Sequence, residues 1–201
     1  MAGVETRLDG NPGEAPMVGD HLAMDLLNTE ARVNGVAVDY WSSGDDVRRW
    51  LARCGVVPPS PGKAVDPAEL LAHGTALRRL ARALIIQRKQ SAIGEISALN
   101  RYLHASLSAP HLEHDRDGNL VLARRACGDG ADALLGPVAE SVAQLLVEGD
   151  FGLVKQCEHP DCVLWFYDRT KAHKRRWCSM ALCGNRYKAA QFRKRRSGDT
   201  S

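Results

Sequence analysis

The chain has 201 residues, of which 44% are hydrophobic and 25% are charged, a balance typical of a soluble globular protein. This length accommodates one medium domain, or one domain with a small additional module. No run of about 18 apolar residues occurs, which argues against a membrane span. The first thirty residues also lack the basic start and apolar centre of a signal peptide. We therefore expect a cytoplasmic protein without membrane association, whose cysteines stay reduced.

The formal net charge of +3 conceals an uneven distribution of charge along the chain. Eleven Lys and Arg residues lie between Arg169 and Arg196, where no Asp or Glu occurs. The rest of the chain holds sixteen basic and twenty-four acidic residues. A basic end on a modestly acidic body predicts that the end attracts a polyanion while the body has another task. A solvated basic tail is the alternative, and composition alone does not decide between them.

The first forty residues contain a predicted leader, a hairpin and a candidate pocket. Residues 1–16 are rich in Gly, Pro and charge, which predicts disorder. Asn34-Gly35 predicts a hairpin turn, although the run before it, which includes DLLNT at 25–29, also suits a short helix. Within DLLNT, Asn28 and Thr29 are candidates for lining a small-molecule pocket. Residues that cap or turn the chain are the structural alternative.

Apolar periodicity predicts a helix-rich body that ends near residue 150. Ser43 is a predicted N-cap, Asp66-Pro67 is a predicted helix start, and Asp117-Gly118 indicates a second hairpin. The predicted helices run from Ser43 to Cys54, from Asp66 to about Gln90, from Ile93 to Leu107, and from about Asp132 to Glu148. Gly55 and Pro58-Pro59 end the first of them.

Four of the six cysteines form two C-x4-C pairs, Cys157 with Cys162 and Cys178 with Cys183. Fifteen residues separate the pairs, a spacing typical of structural zinc modules. Thiolates suit Zn²⁺ or an iron–sulfur cluster, and the paired arrangement favours zinc. The two isolated cysteines, Cys54 and Cys127, are predicted to be small core residues.

The segment between the cysteine pairs predicts a hairpin that leads into a helix. Residues 163–167 are apolar and aromatic, 168–171 resemble a turn, and 174–177 return towards the second pair. Ser179 is a predicted cap of a helix that contains Cys183 in its first turns. A knuckle, a hairpin and a helix in this order form the treble-clef plan. Because so small a segment buries little core, the metal would supply much of its folding free energy.

On these residues, the segment from about 154 to 196 resembles the CGNR zinc finger of bacterial proteins, named for Cys183-Gly184-Asn185-Arg186. The resemblance implies a structural Zn²⁺ held by Cys157, Cys162, Cys178 and Cys183. The body, with DLLNT near its start, is similar to the ABATE or stress-induced-regulator domain that accompanies this finger. The expected class is α+β, with a helix-rich α/β domain before a treble-clef-like finger. The expected boundaries are a leader at 1–16, the ABATE-like domain at 17–150, the finger at 151–196 and a tail at 197–201.

Three residues after the last cysteine have predicted roles in or near the metal site. Gly184 would allow the backbone to approach a metal-bound sulfur, and Asn185 would bond carbonyls of the first knuckle. Arg186 would either contact a phosphate or pair with Asp161 or Asp168.

The candidate nucleic-acid contacts are basic residues of the hairpin and the final helix. They are Lys171, Lys174, Arg175, Arg176, Arg186, Lys188, Arg193, Lys194, Arg195 and Arg196. Together they would neutralise several phosphates and make binding sensitive to salt. The sequence identifies no side chain that reads a base edge.

The predicted function is that of a DNA-binding transcription regulator, not an enzyme, whose body senses a small-molecule effector or forms a homodimer. The first alternative is a zinc module that binds RNA or a protein partner. A treble-clef nuclease is less favoured, because hydrolysis needs a general base and a metal with open coordination. His173 is the only histidine that follows His159.

Overall fold

The structure is a computed structural model, and it describes residues 13–33, 35–56, 64–92 and 94–198. Most of the predicted leader, Asn34, Pro58-Pro59, Ile93 and the last three residues lie outside these ranges. In chain order the elements are α1 (Leu22–Leu27), β1 (Glu30–Val33), β2 (Val36–Asp39), α2 (Gly44–Arg53), α3 (Pro67–Lys89), α4 (Ser97–Ala105), β3 (Ser108–His114), β4 (Leu120–Ala126), α5 (Gly130–Glu148), β5 (Val154–Gln156), β6 (Trp165–Tyr167), a π-helical turn (Met180–Gly184) and α6 (Asn185–Gly198).

The chain divides into two compact units that do not follow one another in sequence. The first unit combines the segment up to Tyr40 with the segment from Asp150 onward, and the second unit is Trp41–Gly149. The second unit is therefore an insertion into the first. Across the described part of the chain, no helix combines the length and the apolar character needed to cross a membrane.

Both predicted hairpins of the body are confirmed. In the first, Val33 pairs with Val36, and Gly35 has a φ of +81°, a conformation that favours glycine. In the second, β3 and β4 pair antiparallel, and Gly118 in their connecting turn has a φ of +82°. The dipeptide signals were sufficient here because turn geometry is a local property.

The third hairpin differs from the prediction. Strand β6 pairs with β5, which precedes the first cysteine pair, with Val154 opposite Tyr167 and Gln156 opposite Trp165. The expected return strand at 174–177 does not form. The hairpin thus encloses the first cysteine pair instead of lying between the two pairs, and the chain from Asp168 to Cys178 is a loop.

In the second unit the helix starts follow the predicted caps. Ser43 and Asp46 form a reciprocal capping box at α2, and Asp66 accepts a hydrogen bond from the Glu69 N–H at α3. Helix α4 ends at Ala105, earlier than predicted, because the Leu107 carbonyl accepts a hydrogen bond of 2.6 Å from the Cys127 N–H beside the β3–β4 ladder. Leu107 is consequently exposed.

Apolar stripes of the helices form the core of the second unit, as the periodicity predicts. Helix α5 packs against α3 and α4. A Cβ on Gly136 of α5 would lie 2.0 Å from the Ser106 Cβ, so a larger residue would prevent this close approach.

The prediction for the isolated cysteines is wrong, because Cys54 is half-buried at the end of α2 and Cys127 is exposed after β4.

The first unit has a small core built around the four paired cysteines. Its other buried members are Ala31 of β1, Leu164, Phe166 and Leu182. Val18, Tyr40 and Trp177 pack against them. Residues from the N-terminal segment and from the cysteine-rich segment therefore share one core.

Candidate metal centre and basic surface

The four paired cysteines converge on one buried point. All four Sγ atoms lie within 4.8 Å of one another, with 3.8 Å between Cys162 and Cys178 and 3.5 Å between Cys178 and Cys183. A disulfide would bring two sulfurs to about 2.05 Å. Tetrahedral zinc with Zn–S distances of about 2.3 Å separates its sulfurs by roughly 3.8 Å. The sulfurs are therefore spaced for a shared metal ion.

Backbone hydrogen bonds shape the first cysteine pair into a knuckle. The Cys157 N–H donates to the Leu164 carbonyl at 2.9 Å, and the Cys162 N–H donates to the His159 carbonyl at 2.9 Å. The ring of His159 accepts the Asp161 N–H at 3.2 Å. His159 therefore stabilises the turn between the two cysteines.

The second pair spans a π-helical turn at the start of α6. The predicted cap is confirmed, since the Ser179 side chain accepts the Leu182 N–H at 3.4 Å. The Ser179 carbonyl accepts the N–H groups of Cys183 and Gly184 at 3.0 and 3.1 Å. The widened turn is a local feature that residue periodicity does not reveal.

Gly184 makes room for the side chains of Met180 and Trp177, whereas the sequence led us to expect room for a metal-bound sulfur. A Cβ there would lie 2.7 Å from the Met180 Sδ and 3.3 Å from the Trp177 Cδ1. The ring of Tyr187 packs against that of Trp177, and the two ring centroids lie 4.7 Å apart. The glycine therefore permits the π-helical turn to close against Trp177.

Arg186 contacts the cysteine cluster directly. Its Nη2 donates to the Cys183 Sγ at 3.1 Å, and its Nε is buried without a hydrogen-bond partner among the described residues. Neither expected carboxylate bonds Arg186: Asp161 is exposed at the surface, and Asp168 accepts hydrogen bonds from other residues, such as Lys155. The expected ion pair with Asp161 or Asp168 is therefore wrong, and the contact with sulfur was not anticipated, while a phosphate contact stays a prediction.

The thiols influence one another strongly. Cys157 raises the pKa of Cys183, but hydrogen bonds with Cys162, Cys178 and Arg186 outweigh that effect and bring the pKa to about 7. Hydrogen bonds from the three other cysteines also hold the pKa of Cys157 below its usual range. The neighbouring sulfurs and burial instead raise the pKa of Cys162 and Cys178, so a bound cation would have to displace the protons of these two thiols, while the guanidinium of Arg186 lies on the Cys183 sulfur. The donor set therefore fits a thiolate-bound metal.

A buried carboxylate organises the loop between the cysteine pairs. Asp168 accepts hydrogen bonds from Lys155 Nζ at 2.7 Å, from the Thr170 hydroxyl at 2.7 Å and from the Arg175 N–H at 2.9 Å. Burial would raise the pKa of Asp168, but these hydrogen bonds outweigh burial and hold it below its usual range. Sequence reasoning missed this role, although an Asp two residues before a Thr is a turn signal. These bonds draw the chain into a loop where a return strand was expected.

Arg175, a predicted phosphate contact, is bonded within the first unit. Its Nε donates to the Trp177 carbonyl and its Nη2 to the Val18 carbonyl, both at 2.9 Å. Its guanidinium also pairs with Asp20 and lies 4.3 Å from the Phe166 ring centroid. These contacts favour a role in joining the N-terminal segment to the loop.

Asn28 and Thr29, the candidate pocket residues, are both completely buried. The Asn28 amide donates to the Trp165 carbonyl at 2.9 Å and accepts the Trp165 N–H at 2.8 Å, as a neighbouring strand would. The Thr29 hydroxyl donates to the Leu26 carbonyl at 2.7 Å. Both side chains are thus engaged by backbone groups, which favours the structural alternative over a pocket.

The remaining predicted nucleic-acid contacts lie at the surface. Arg176 pairs with Glu158 at 2.6 Å and lies 4.9 Å from the Trp177 ring centroid. The others are exposed, and they are Lys171, Lys174, Lys188, Arg193, Lys194, Arg195 and Arg196. Helix α6 contains no acidic residue, and Phe192 on it is 61% exposed.

A groove of about 510 Å³ runs along this surface. Its lining comprises Thr170, Lys174, Arg175, Arg176, Trp177, Ser179 and Met180. The lining therefore combines basic side chains with the apolar side chains of Trp177 and Met180 next to the start of α6. A surface of this composition suits an anionic ligand with planar groups.

Comparison with known families assigns both parts of the chain. Residues 154–196 match the CGNR zinc finger. Residues 20–149 match the ABATE family, described as "Putative stress-induced transcription regulator". No curated protein matches the chain. Residues 20–40 lie in the ABATE match, although in the structure they pack with the finger. The chain therefore belongs to the ABATE family and carries a CGNR zinc finger after its ABATE region.

Proposed function

We propose that this protein is a transcription regulator that holds a structural zinc ion and contacts DNA through its basic surface. The proposal rests on the direct continuity between the cysteine cluster and the basic helix α6. Cys183 lies in the π-helical turn that leads into α6, a helix with basic side chains and no acidic residue. Metal binding would thus position the helix that attracts the polyanion.

The zinc ion would be bound by the thiolates of Cys157, Cys162, Cys178 and Cys183. Four protein ligands leave no position for water or substrate, which is the arrangement of structural sites and not of catalytic ones. Apparent binding free energies of about 10–16 kcal/mol in zinc-finger peptides show how much such an ion adds to folding. We accordingly propose a non-enzymatic role. Reduced thiols also suit the cytoplasm, which we propose as the location.

The exposed cations of the loop and of α6 would form the DNA contact. Apart from Arg176, which pairs with Glu158, seven of the predicted contacts are exposed there, two on the loop and five on α6. If all seven neutralised phosphates, the slope of log affinity against log salt would be about −6. We assign Arg175 and Arg186 to the architecture of the finger instead, because their guanidinium groups already bond protein atoms.

RNA or a single strand is the second candidate ligand. Phe192 favours this candidate, because its exposed side chain lies on α6 directly before four consecutive basic residues. Exposed aromatic rings stack on unpaired bases but have no such partner in duplex DNA. Replacing Phe192 with Ala therefore distinguishes the ligands, since it should weaken single-strand binding and leave duplex binding unchanged.

The second unit is the proposed regulatory part, which would sense a small effector or form a homodimer. A second copy of the chain is supported by β3–β4, where Leu112 and Leu122 are directly paired and Leu120 lies on the same face, all more than 60% exposed. Clustered apolar surface of this kind favours protein contact. Sedimentation of the wild type and of Leu112→Ser/Leu122→Ser tests it, because a dimer should dissociate in the double variant.

The central experiment measures affinity for duplex DNA, single strands and RNA over a range of salt concentrations. Arg195→Ala/Arg196→Ala removes two cations from the last turn of α6, and Arg88→Ala/Lys89→Ala removes two from the last turn of α3. The first pair should reduce the salt slope by about 2 and the control pair should not change it. Equal effects of the two pairs, or no binding by the wild type, would contradict the proposal.

A further inference from the structure

We infer that Arg186 is a positioning residue of the metal centre, and that it does not contact nucleic acid. Its guanidinium would hold the Cys183 sulfur and offset the charge of the four thiolates. The inference rests on the proposed metal occupancy, and it separates Arg186 from the other basic residues of α6.

The contact is specific to one sulfur and one nitrogen. Arg186 Nη2 lies 3.1 Å from the Cys183 Sγ, within the range of a hydrogen bond to sulfur. Arg186 is three residues after Cys183, so the π-helical turn and the first turn of α6 bring the two side chains to the same face. The cluster itself is buried, which strengthens the attraction between opposite charges.

The charge of the site explains why a cation is needed. Four thiolates around a divalent ion carry a net charge of −2, and burying this charge without compensation is costly. Arg175 also bonds this region, but it donates to the Cys178 carbonyl and not to a sulfur. Arg186 is thus the cation that the described residues place on a cysteine sulfur.

The position of Arg186 also argues against a phosphate contact. Its Nε is buried and its Nη2 bonds the Cys183 sulfur, so the Nε–Nη2 edge is not open to a phosphate and only Nη1 is left for such a contact. Arg193 offers a matched comparison, because it lies seven residues later on the same flank of α6 and is exposed. One side of the helix therefore carries an arginine that faces the metal site and another that faces solvent.

The test uses the full chain with Arg186→Gln, Arg186→Lys and the control Arg193→Gln. Metal affinity is measured by competition with a chelator, using Zn²⁺ and Co²⁺, and the thiolate-to-cobalt absorption reports the environment of the sulfurs. Arg186→Gln should weaken metal binding about 10- to 100-fold, the range for lost partners of metal ligands. Arg186→Lys keeps the charge but loses the planar donor group, so its affinity should fall less and its cobalt spectrum should still change.

Nucleic-acid binding supplies the opposite readout. At saturating zinc, Arg186→Gln should leave the salt slope unchanged, whereas Arg193→Gln should reduce it by about 1 and leave metal affinity unchanged. Unaltered metal affinity and cobalt spectra in both Arg186 variants would overturn the inference, as would a reduced salt slope in Arg186→Gln. A wild type that binds metal but no nucleic acid would contradict the proposed function and leave the metal readout of Arg186 decisive.

Discussion

Asn28 and Trp165 lie 137 residues apart in the sequence and are joined by two hydrogen bonds, one in each direction between the side-chain amide and the backbone. Through this contact the turn after α1 extends the edge of the β5–β6 hairpin. The same hairpin encloses the first cysteine pair. A short polar motif at the start of the chain thus completes the metal-binding unit near its end.

Replacing Asn28 with Ala should destabilise the first unit. The substitution removes the partner of the Trp165 N–H and carbonyl in a partly buried setting, which should cost roughly 1–3 kcal/mol. The free energy of unfolding of the first unit in urea is the quantity to compare, together with the amount of zinc retained at a low chelator concentration. Asn100→Ala, at an exposed position of α4, serves as the control and should be nearly neutral. Equal stability of the two variants would show that the Asn28 contact contributes little.

Replacing Cys178 with Ser should release the metal and unfold the cysteine-rich segment. Three sulfurs remain, but the closed set that supplies folding free energy is lost. Zinc content after gel filtration and limited proteolysis of residues 157–196 measure both effects. Cys127→Ser, at an exposed cysteine outside the cluster, should leave both unchanged. Full zinc content in Cys178→Ser would disprove the metal assignment.

The cysteine cluster shows which features of the site can be predicted from the sequence. Spacing alone identified the four cysteines that the structure brings together, because ligand spacing reflects local chain geometry. Ser179 was likewise identified as a cap. By contrast, the partners of Asn28 and Arg175 come from segments more than 130 residues away, and no local pattern encodes such a contact.

The same distinction explains the errors in the fold. Both hairpins of the body have short turns with glycine, and both were found. Strand β6 was expected to pair with the segment at 174–177 but pairs with β5, because the hydrogen bonds of Asp168 fold the following loop away from an extended path. Cys127 was expected in the core, yet its exposure depends on the packing of the hairpin that precedes it.

Replacing Gly136 with Ala should destabilise the second unit through overpacking. The new Cβ would lie 2.0 Å from the Ser106 Cβ, so α4 or α5 must shift, at a typical cost of about 1–3 kcal/mol. The double variant Gly136→Ala/Ser106→Gly removes the atom that clashes and should recover part of that loss, as a double-mutant cycle in urea would show. Additive losses in the cycle would mean that Ser106 is not the obstacle.

Asp168 should make the first unit sensitive to acid. Its folded-state pKa lies below the ordinary value, chiefly because the bonds from Lys155 and Thr170 outweigh the effect of burial. A depressed pKa means that the ionised carboxylate stabilises the fold above the unfolded pKa, and that this stabilisation disappears as pH falls through the folded value.

The free energy of unfolding of the wild type should therefore exceed that of Asp168→Asn above about pH 5, and the difference should shrink below about pH 4. Comparing the two proteins at each pH removes the separate effect of thiolate protonation on the metal, since both retain the four cysteines. Asp161→Asn, an exposed acid between Cys157 and Cys162, serves as the control and should show no such trend. A difference between wild type and Asp168→Asn that stayed constant from neutral to acidic pH would mean that the charge of Asp168 does not stabilise the loop, and that only the shape of the side chain matters.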